Sequence, residues 1–217
     1  MPTRTIGRDD SSYPKDLPNR IAGVAPRALY TIGDVAILSN HLVGLLCSVQ
    51  CPGSVIIKAF DAIRALRDAG VVFVGGFHSP MEQDCLDILL RGCQPVVLCP
   101  AKGLAYLRLG TAVRGAVDEG RMLVLSCFDQ SAGRSTVIQA IQRNNMVAAL
   151  SSAVLVPYAA PGGKTWSTVL HALDQNRQVF TFDDDNNTEL ISAGAMPVTP
   201  SSIADAVRAV FEPNAAR

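Results

Sequence analysis

The segment VVFVGGFHSPME at 71–82 limits the fold more than any other part of the chain. Its first four residues are apolar β-formers with no polar residue between them. Such a run suits a strand buried on both faces, the condition of a parallel sheet. Gly75 and Gly76 follow at once. Without a Cβ they let the backbone turn sharply and let a ligand come close. Ser79 suits a helix N-cap and Pro80 the first helical position. A strand, a glycine turn and a capped helix start aim free N–H groups and a positive helix end at one spot, which suits a phosphate. The same residues also make a tight βα turn that binds nothing, and the segment alone does not separate the two.

The rhythm recurs along the chain. Strands are expected at residues 28–32, 43–49, 95–99, 122–126, 153–157 and 178–182. Helices are expected at 54–69, 80–90, 101–119, 135–150, 166–175, 187–192 and 202–211, with Gly70 and Gly120 closing two of them. Residues 1–12 are polar and expected to be loose. Strands alternating with helices of this length predict an α/β fold: a Rossmann-like, doubly wound, mostly parallel sheet with right-handed crossovers and a small N-terminal extension. Residues 1–34 are expected as that extension or cap, and 35–217 as the main domain.

Composition narrows the function. The chain has 217 residues, 48% of them hydrophobic, enough for one large α/β domain. It contains no apolar run of the roughly 18 residues needed to cross a bilayer. MPTRTIGRDDSSYP holds no apolar stretch of a secretory leader, so a cytoplasmic protein without a membrane partner is expected. The six cysteines form no CxxC pair and are expected to be reduced, and no metal site is expected. Formal net charge is zero, which argues against tight non-specific binding of nucleic acid by a global basic surplus. A local patch from Arg134, Arg143 and Lys164 stays open.

In doubly wound sheets ligands sit at the carboxyl ends of the strands. The loops expected there supply the candidate residues. Ser48 and Gln50 can donate to a phosphate or a base, and Gly53 allows close approach. Gly75, Gly76, Phe77 and Ser79 form the first glycine corner. Glu82 could accept from a ribose hydroxyl or serve as a helix-dipole partner. APGGKT at 160–165 is not a P-loop, since Tyr158 stands where the first glycine of GxxxxGK[ST] belongs. Gly162, Gly163 and Thr165 can still hold an anion at a helix start, with Lys164 as a point charge. Arg143 and Asn144, within QRNN, could contact a nucleotide or form a solvated helix face. The carboxylates at 183–185 read as helix caps rather than a cation site. No catalytic residue and no cofactor are assigned.

Read in order, these pieces resemble the DprA (Smf) DNA-processing family of a wider Rossmann-like superfamily. Tyr13-Pro-x-x-Leu17 and Pro26-x-x-Leu29-Tyr-x-x-Gly33 are similar to the family's lead-in. Gly75-Gly-Phe77 matches the position of its SGxAxGID loop. Arg143-Asn-Asn145 before Val147-Ala-Ala-Leu-Ser151 resembles RNRxIAGLS, and Ala153-Val-Leu-Val156 before Gly162-Gly-Lys-Thr165 resembles VVVEAxxxSGSxxTA. Arg177-Gln-Val-Phe180 resembles GRxVxAVPG. The chain departs at Cys47-Ser-Val-Gln50, which lacks the arginine of the family's Gly-Ser-Arg, at Glu82 in place of an aspartate, and at Asn145 in place of the second arginine of RNR. The resemblance implies a short form without the winged-helix tail of many members. It implies single-stranded DNA or a nucleotide as ligand, RecA as a possible partner, DNA uptake in transformation as a role, and a homodimer. Relatives of the LOG type hydrolyse nucleotides with a glutamate in PGGxGTxxE. Pro161-Gly-Gly163 is present here, but 164–169 carries no glutamate, so a nucleotide N-glycosidase would need Glu82 from another loop.

Overall fold

Apolar side chains cover both faces of a single sheet in the computed structural model, which describes residues 2–212. Its strands are β1 (Arg4–Gly7), β2 (Ala28–Gly33), β3 (Leu42–Leu45), β4 (Val72–Gly75), β5 (Val96–Leu98), β6 (Met122–Ser126), β7 (Ala153–Leu155), β8 (Gln178–Phe182) and β9 (Met196–Val198). They lie in the order β1-β2-β6-β5-β4-β3-β7-β8-β9. The pairings from β6 across to β9 are parallel, while β2 pairs antiparallel with β6 and β1 antiparallel with β2.

The helices are α1 (Leu17–Arg20), α2 (Gly53–Asp68), α3 (Pro80–Leu90), α4 (Thr111–Asp118), α5 (Val137–Leu150), α6 (Lys164–Asp174), α7 (Thr188–Ser192) and α8 (Ile203–Phe211). Alternate strand residues divide them between two layers. Val43, Leu45 and Phe73 pack with Val55 and Ile63 of α2, Leu89 of α3 and Val207 of α8. Leu42, Val72 and Val74 pack with Met146 and Val147 of α5 and Val169 of α6. This period-two division of a parallel sheet between two helix layers is the doubly wound arrangement the sequence predicts.

The strand order fixes where a ligand fits. From central β3 the chain steps outward through β4, β5 and β6. It then crosses back through α5 to β7 on the other side of β3. Connections diverge from the carboxyl ends of β3 and β7, and such a divergence leaves a crevice.

Three features differ from the sequence reading. Arg4–Gly7 is a strand, not a loose end: it pairs with β2 and buries Ile6 completely. Residues 101–119 do not form one helix. Leu104–Tyr106 makes a 3₁₀ turn, and α4 begins only at Thr111. The cause is tertiary: Gly103 N–H donates to the Ala132 carbonyl at 2.8 Å, and a Cβ on Gly103 would overlap the Asp129 carbonyl. That contact docks the β5–α4 loop against the β6–α5 loop. Third, β9 forms at Met196–Val198, where no strand was expected; its stability comes from pairing with β8.

Among 183–185, Asp184 caps the following turn by accepting from Asn186 N–H at 3.0 Å. It also pairs with Lys58 of α2 at 2.9 Å. The Lys58 ammonium is the largest influence holding the Asp184 carboxyl down at about 2. No cluster of three metal-ligating side chains occurs among the described residues. All six cysteines are unpaired.

Candidate phosphate-binding crevice

Three neighbouring strands, β4, β3 and β7, deliver the sequence candidates to one edge of the sheet. Ser48, Gln50 and Gly53 lie between β3 and α2, and Gly75, Gly76 and Phe77 at the end of β4. Gly162, Gly163, Lys164 and Thr165 lie at the start of α6 beyond β7. The β3 and β7 loops are tied together. Ser48 N–H donates to the Tyr158 carbonyl at 3.0 Å, and Ser48 Oγ accepts from Ala160 N–H at 3.0 Å. A hydroxyl that accepts still carries its own proton, so Ser48 can donate to a ligand. Gln50, Gly53 and Lys164 are exposed and Thr165 is buried.

The β4 corner is tight. The ring of Phe77 lies across Gly75, where a Cβ would stand 3.0 Å from the ring tip. Phe77 itself has φ 45°, a left-handed conformation rare for a bulky residue and costly by about 1–2 kcal/mol. Strain of this kind gathers at functional corners.

Arg143 fills the space beside that corner. It is 5% exposed, and its guanidinium occupies the place a Cβ on Gly76 would take. Nη1 donates to the Cys99 carbonyl at the end of β5 (3.3 Å), and Nε donates to Asn144 Oδ1 (2.8 Å). No carboxylate pairs with Arg143 among the described residues. A guanidinium cannot shed its proton to escape this position, so burial leaves a desolvated positive charge. On the same helix, Asn145 Oδ1 accepts from Thr168 Oγ1 at 3.0 Å and fixes α5 against α6.

Two helix starts at the crevice lack caps. Neither α2 nor α6 has a side-chain cap or an acidic residue in its first turn, so each presents free N–H groups and about half a positive charge. The starts of α5 and α3 are closed. Thr136 and Gln139 form a capping box on α5, and Ser79 and Glu82 form one on α3. Glu82 does more than cap. It is 5% exposed, and its Oε1 accepts from Cys47 N–H at 3.0 Å. Its Oε2 accepts from His78 N–H (3.0 Å) and Ser79 N–H (3.2 Å). The carboxylate thereby pins the β3 loop to the β4 corner.

The Ser-x-x-Glu spacing at 79–82 carries the signal for that anchor. Ser79, expected both as a helix cap and as part of the ligand corner, is buried and its Oγ accepts from Glu82 N–H at 3.3 Å. The link from Glu82 to Cys47 and the Cys99 carbonyl beneath Arg143 have no local sequence signal. Glu82→Gln is expected to lower stability by about 2 kcal/mol, because an amide NH₂ would face a backbone N–H and two charge-assisted bonds would weaken. A fall in the urea midpoint of the ligand-free protein measures it; an unchanged midpoint would refute the anchoring role.

The family model of DNA recombination-mediator protein A matches residues 4–210. The structure of DNA processing protein A (DprA) from Streptococcus pneumoniae superposes with a TM-score of 0.78 at 21% identity, covering 94% of this chain and 75% of that one. DprA from Helicobacter pylori, whose structure is described for its single-stranded DNA binding mode, gives 0.76 at 17% identity, covering 96% of both chains. A molybdenum cofactor binding protein from Rippkaea orientalis gives 0.58 at 14% identity, covering 79% of this chain and 98% of that one. These likenesses show a common fold. No curated protein matches the chain. The family model spans the sheet from β1 to α8 and every candidate residue of the crevice: the chain belongs to the DNA recombination-mediator protein A family of DNA-processing proteins.

Proposed function

We propose that this chain holds the phosphates of single-stranded DNA, or of a nucleotide, in the crevice between β4, β3 and β7 without catalysing a reaction on them. The observation that carries the reading is Arg143: a buried guanidinium with no carboxylate among the described residues. An arriving phosphate supplies the missing charge, and desolvation makes that pairing stronger than one at the surface. Ser48 and the open helix starts of α2 and α6 add donors that favour an anion over a cation or a neutral ligand. Gly162 and Gly163 keep the α6 approach free of side chains, and Lys164 adds an exposed point charge. Tyr106 is 61% exposed and lies over Gly133 of the neighbouring loop, offering a flat face on which a base can stack. Single-stranded DNA binding in the Helicobacter pylori relative supports the same ligand class. In this reading DNA held in the crevice is passed to a recombinase such as RecA during DNA uptake. The hydrolase alternative would use Glu82, whose two oxygens already hold three backbone N–H groups.

Fluorescence anisotropy of a labelled oligodeoxythymidylate tests the reading. Binding is expected at low salt and should weaken as salt rises, since counterions are released from neutralised phosphates. Lys164→Ala should weaken binding similarly for all base compositions and reduce the salt slope by about one. Absence of salt-dependent binding to oligonucleotides and to nucleotides alike would overturn the proposal.

A further inference from the structure

A second concave surface lies at the opposite, amino-terminal ends of β7 and β8. It is a cavity of about 550 Å³, with Arg20, Arg177, Ser152, Asn19, Asn176 and Gln178 in its lining. No carboxylate contributes to that lining among the described residues.

The two arginines meet at one atom. Arg20 Nη2 donates to the Ser151 carbonyl at 2.6 Å, and Arg177 Nη1 donates to the same carbonyl at 3.2 Å. Arg177 also reaches the Ala148 and Ala149 carbonyls at the end of α5, the Arg20 carbonyl and Gln175 Oε1. Its donors are therefore spent within the protein: Nη1 on the α5 C-terminus, Nη2 on the Arg20 carbonyl and Gln175, and Nε on Gln175. Arg20 is different: neither Nε nor Nη1 has a hydrogen-bond partner among the described residues. Neither arginine has a salt-bridge partner among them. Burial first, and the Arg20 charge second, pull the Arg177 guanidinium down to about 10.

Charge arithmetic selects the ligand. The carboxyl ends of α5 and α6 both lie at the cavity, and each offsets about half of one positive charge. Two guanidiniums still leave about one charge unmatched, and their attraction is stronger for the more highly charged of two phosphate ligands. An internucleotide phosphodiester carries a single negative charge. A phosphate monoester carries about −1.5 to −2 at neutral pH. The side-chain amides of Asn19, Asn176 and Gln178 supply neutral donors around the charged pair. The cavity volume lies within the range of small-molecule sites.

We propose that the Arg20–Arg177 cavity is a second anion site, separate from the crevice, that accepts a phosphate monoester. It does not depend on the function proposed for the crevice.

Chemical-shift titration of the full-length ¹⁵N-labelled chain with AMP, inorganic phosphate and thymidylyl-thymidine tests this. AMP and inorganic phosphate are expected to move the Ser152, Asn176 and Gln178 amides saturably. Thymidylyl-thymidine, a phosphodiester without a terminal phosphate, should leave them in place. Shifts confined to the α6 start report the crevice, so the two sites are read apart. Arg20→Gln should weaken AMP binding at the cavity by about tenfold or more, as expected for loss of a charged hydrogen-bond donor. Asn176 has φ 54°, so Asn176→Gly keeps the backbone and removes only the amide; it should weaken binding severalfold. The proposal is overturned if millimolar phosphate and AMP leave these amides unmoved, or if thymidylyl-thymidine moves them as much as AMP. A response that persists unchanged in both variants also overturns it.

Discussion

Arg143→Met is expected to weaken oligonucleotide binding by about a hundredfold while leaving the ligand-free protein as stable as before, or more so. The two effects share one cause. Truncating a desolvated charge that pairs with a ligand costs about 2–5 kcal/mol of affinity, and about 2.7 kcal/mol corresponds to a hundredfold. In the free protein the same guanidinium lies buried with two hydrogen bonds, to Cys99 and Asn144, and no counter-charge among the described residues. A buried charge left without an ionic partner is a standing cost, and an apolar side chain of similar length removes it. The lost bond to the Cys99 carbonyl opposes that gain by about 1–3 kcal/mol, so the net change in stability is small. Anisotropy titration paired with a urea melt measures both quantities on one sample. A large loss of stability with unchanged affinity would reverse the assignment and make Arg143 a structural residue.

That separation of effects shows why the crevice was only partly legible in the sequence. The strand at the heart of 71–82 and the helix after it were readable, because apolar runs, glycines and a Ser-Pro cap are local signals. The helix expected at 80–90 and the strands expected at 122–126 and 178–182 coincide with α3, β6 and β8. Features that depend on distant pairing were not readable. β1 and β9 are edge strands whose hydrogen bonds come from β2 and β8, and neither has a strong pattern of its own. Residues 101–119 have helical composition, but the docking of Gly103 on the β6–α5 loop overrides it. The candidate site follows the same division. The βα rule alone gathers its loops at the carboxyl ends. Which loops adjoin depends on β7 lying beside β3, and that is a property of the whole sheet. Arg143 is the sharpest case. In sequence it is one polar residue in QRNN, equally suited to a solvated helix face. It is buried because Gly76, in the loop just past β4, has no side chain to exclude it.

Gly76→Ala turns that dependence into the second large effect. The new methyl would lie inside the Arg143 guanidinium, and the neighbouring Gly75 is already covered by the Phe77 ring. Arg143 must leave its place, and with it the bond to Cys99. Overpacking a filled site costs about 1–3 kcal/mol, and the lost bond to Cys99 is offset, as in Arg143→Met, by release of the buried charge. A loss of about 1–3 kcal/mol of stability is therefore expected, together with loss of oligonucleotide binding, although no charge has been removed. The double variant Gly76→Ala, Arg143→Met separates the causes. If the conflict is between these two groups, methionine can bend where the planar guanidinium cannot, and the double variant should recover at least half of the stability lost in Gly76→Ala. It should recover none of the binding, because the charge is gone. Stability without affinity in the double variant, against neither in the single one, is the signature of a glycine retained to seat an arginine. Additive loss of stability in the double variant would instead mean that Gly76 serves the backbone alone.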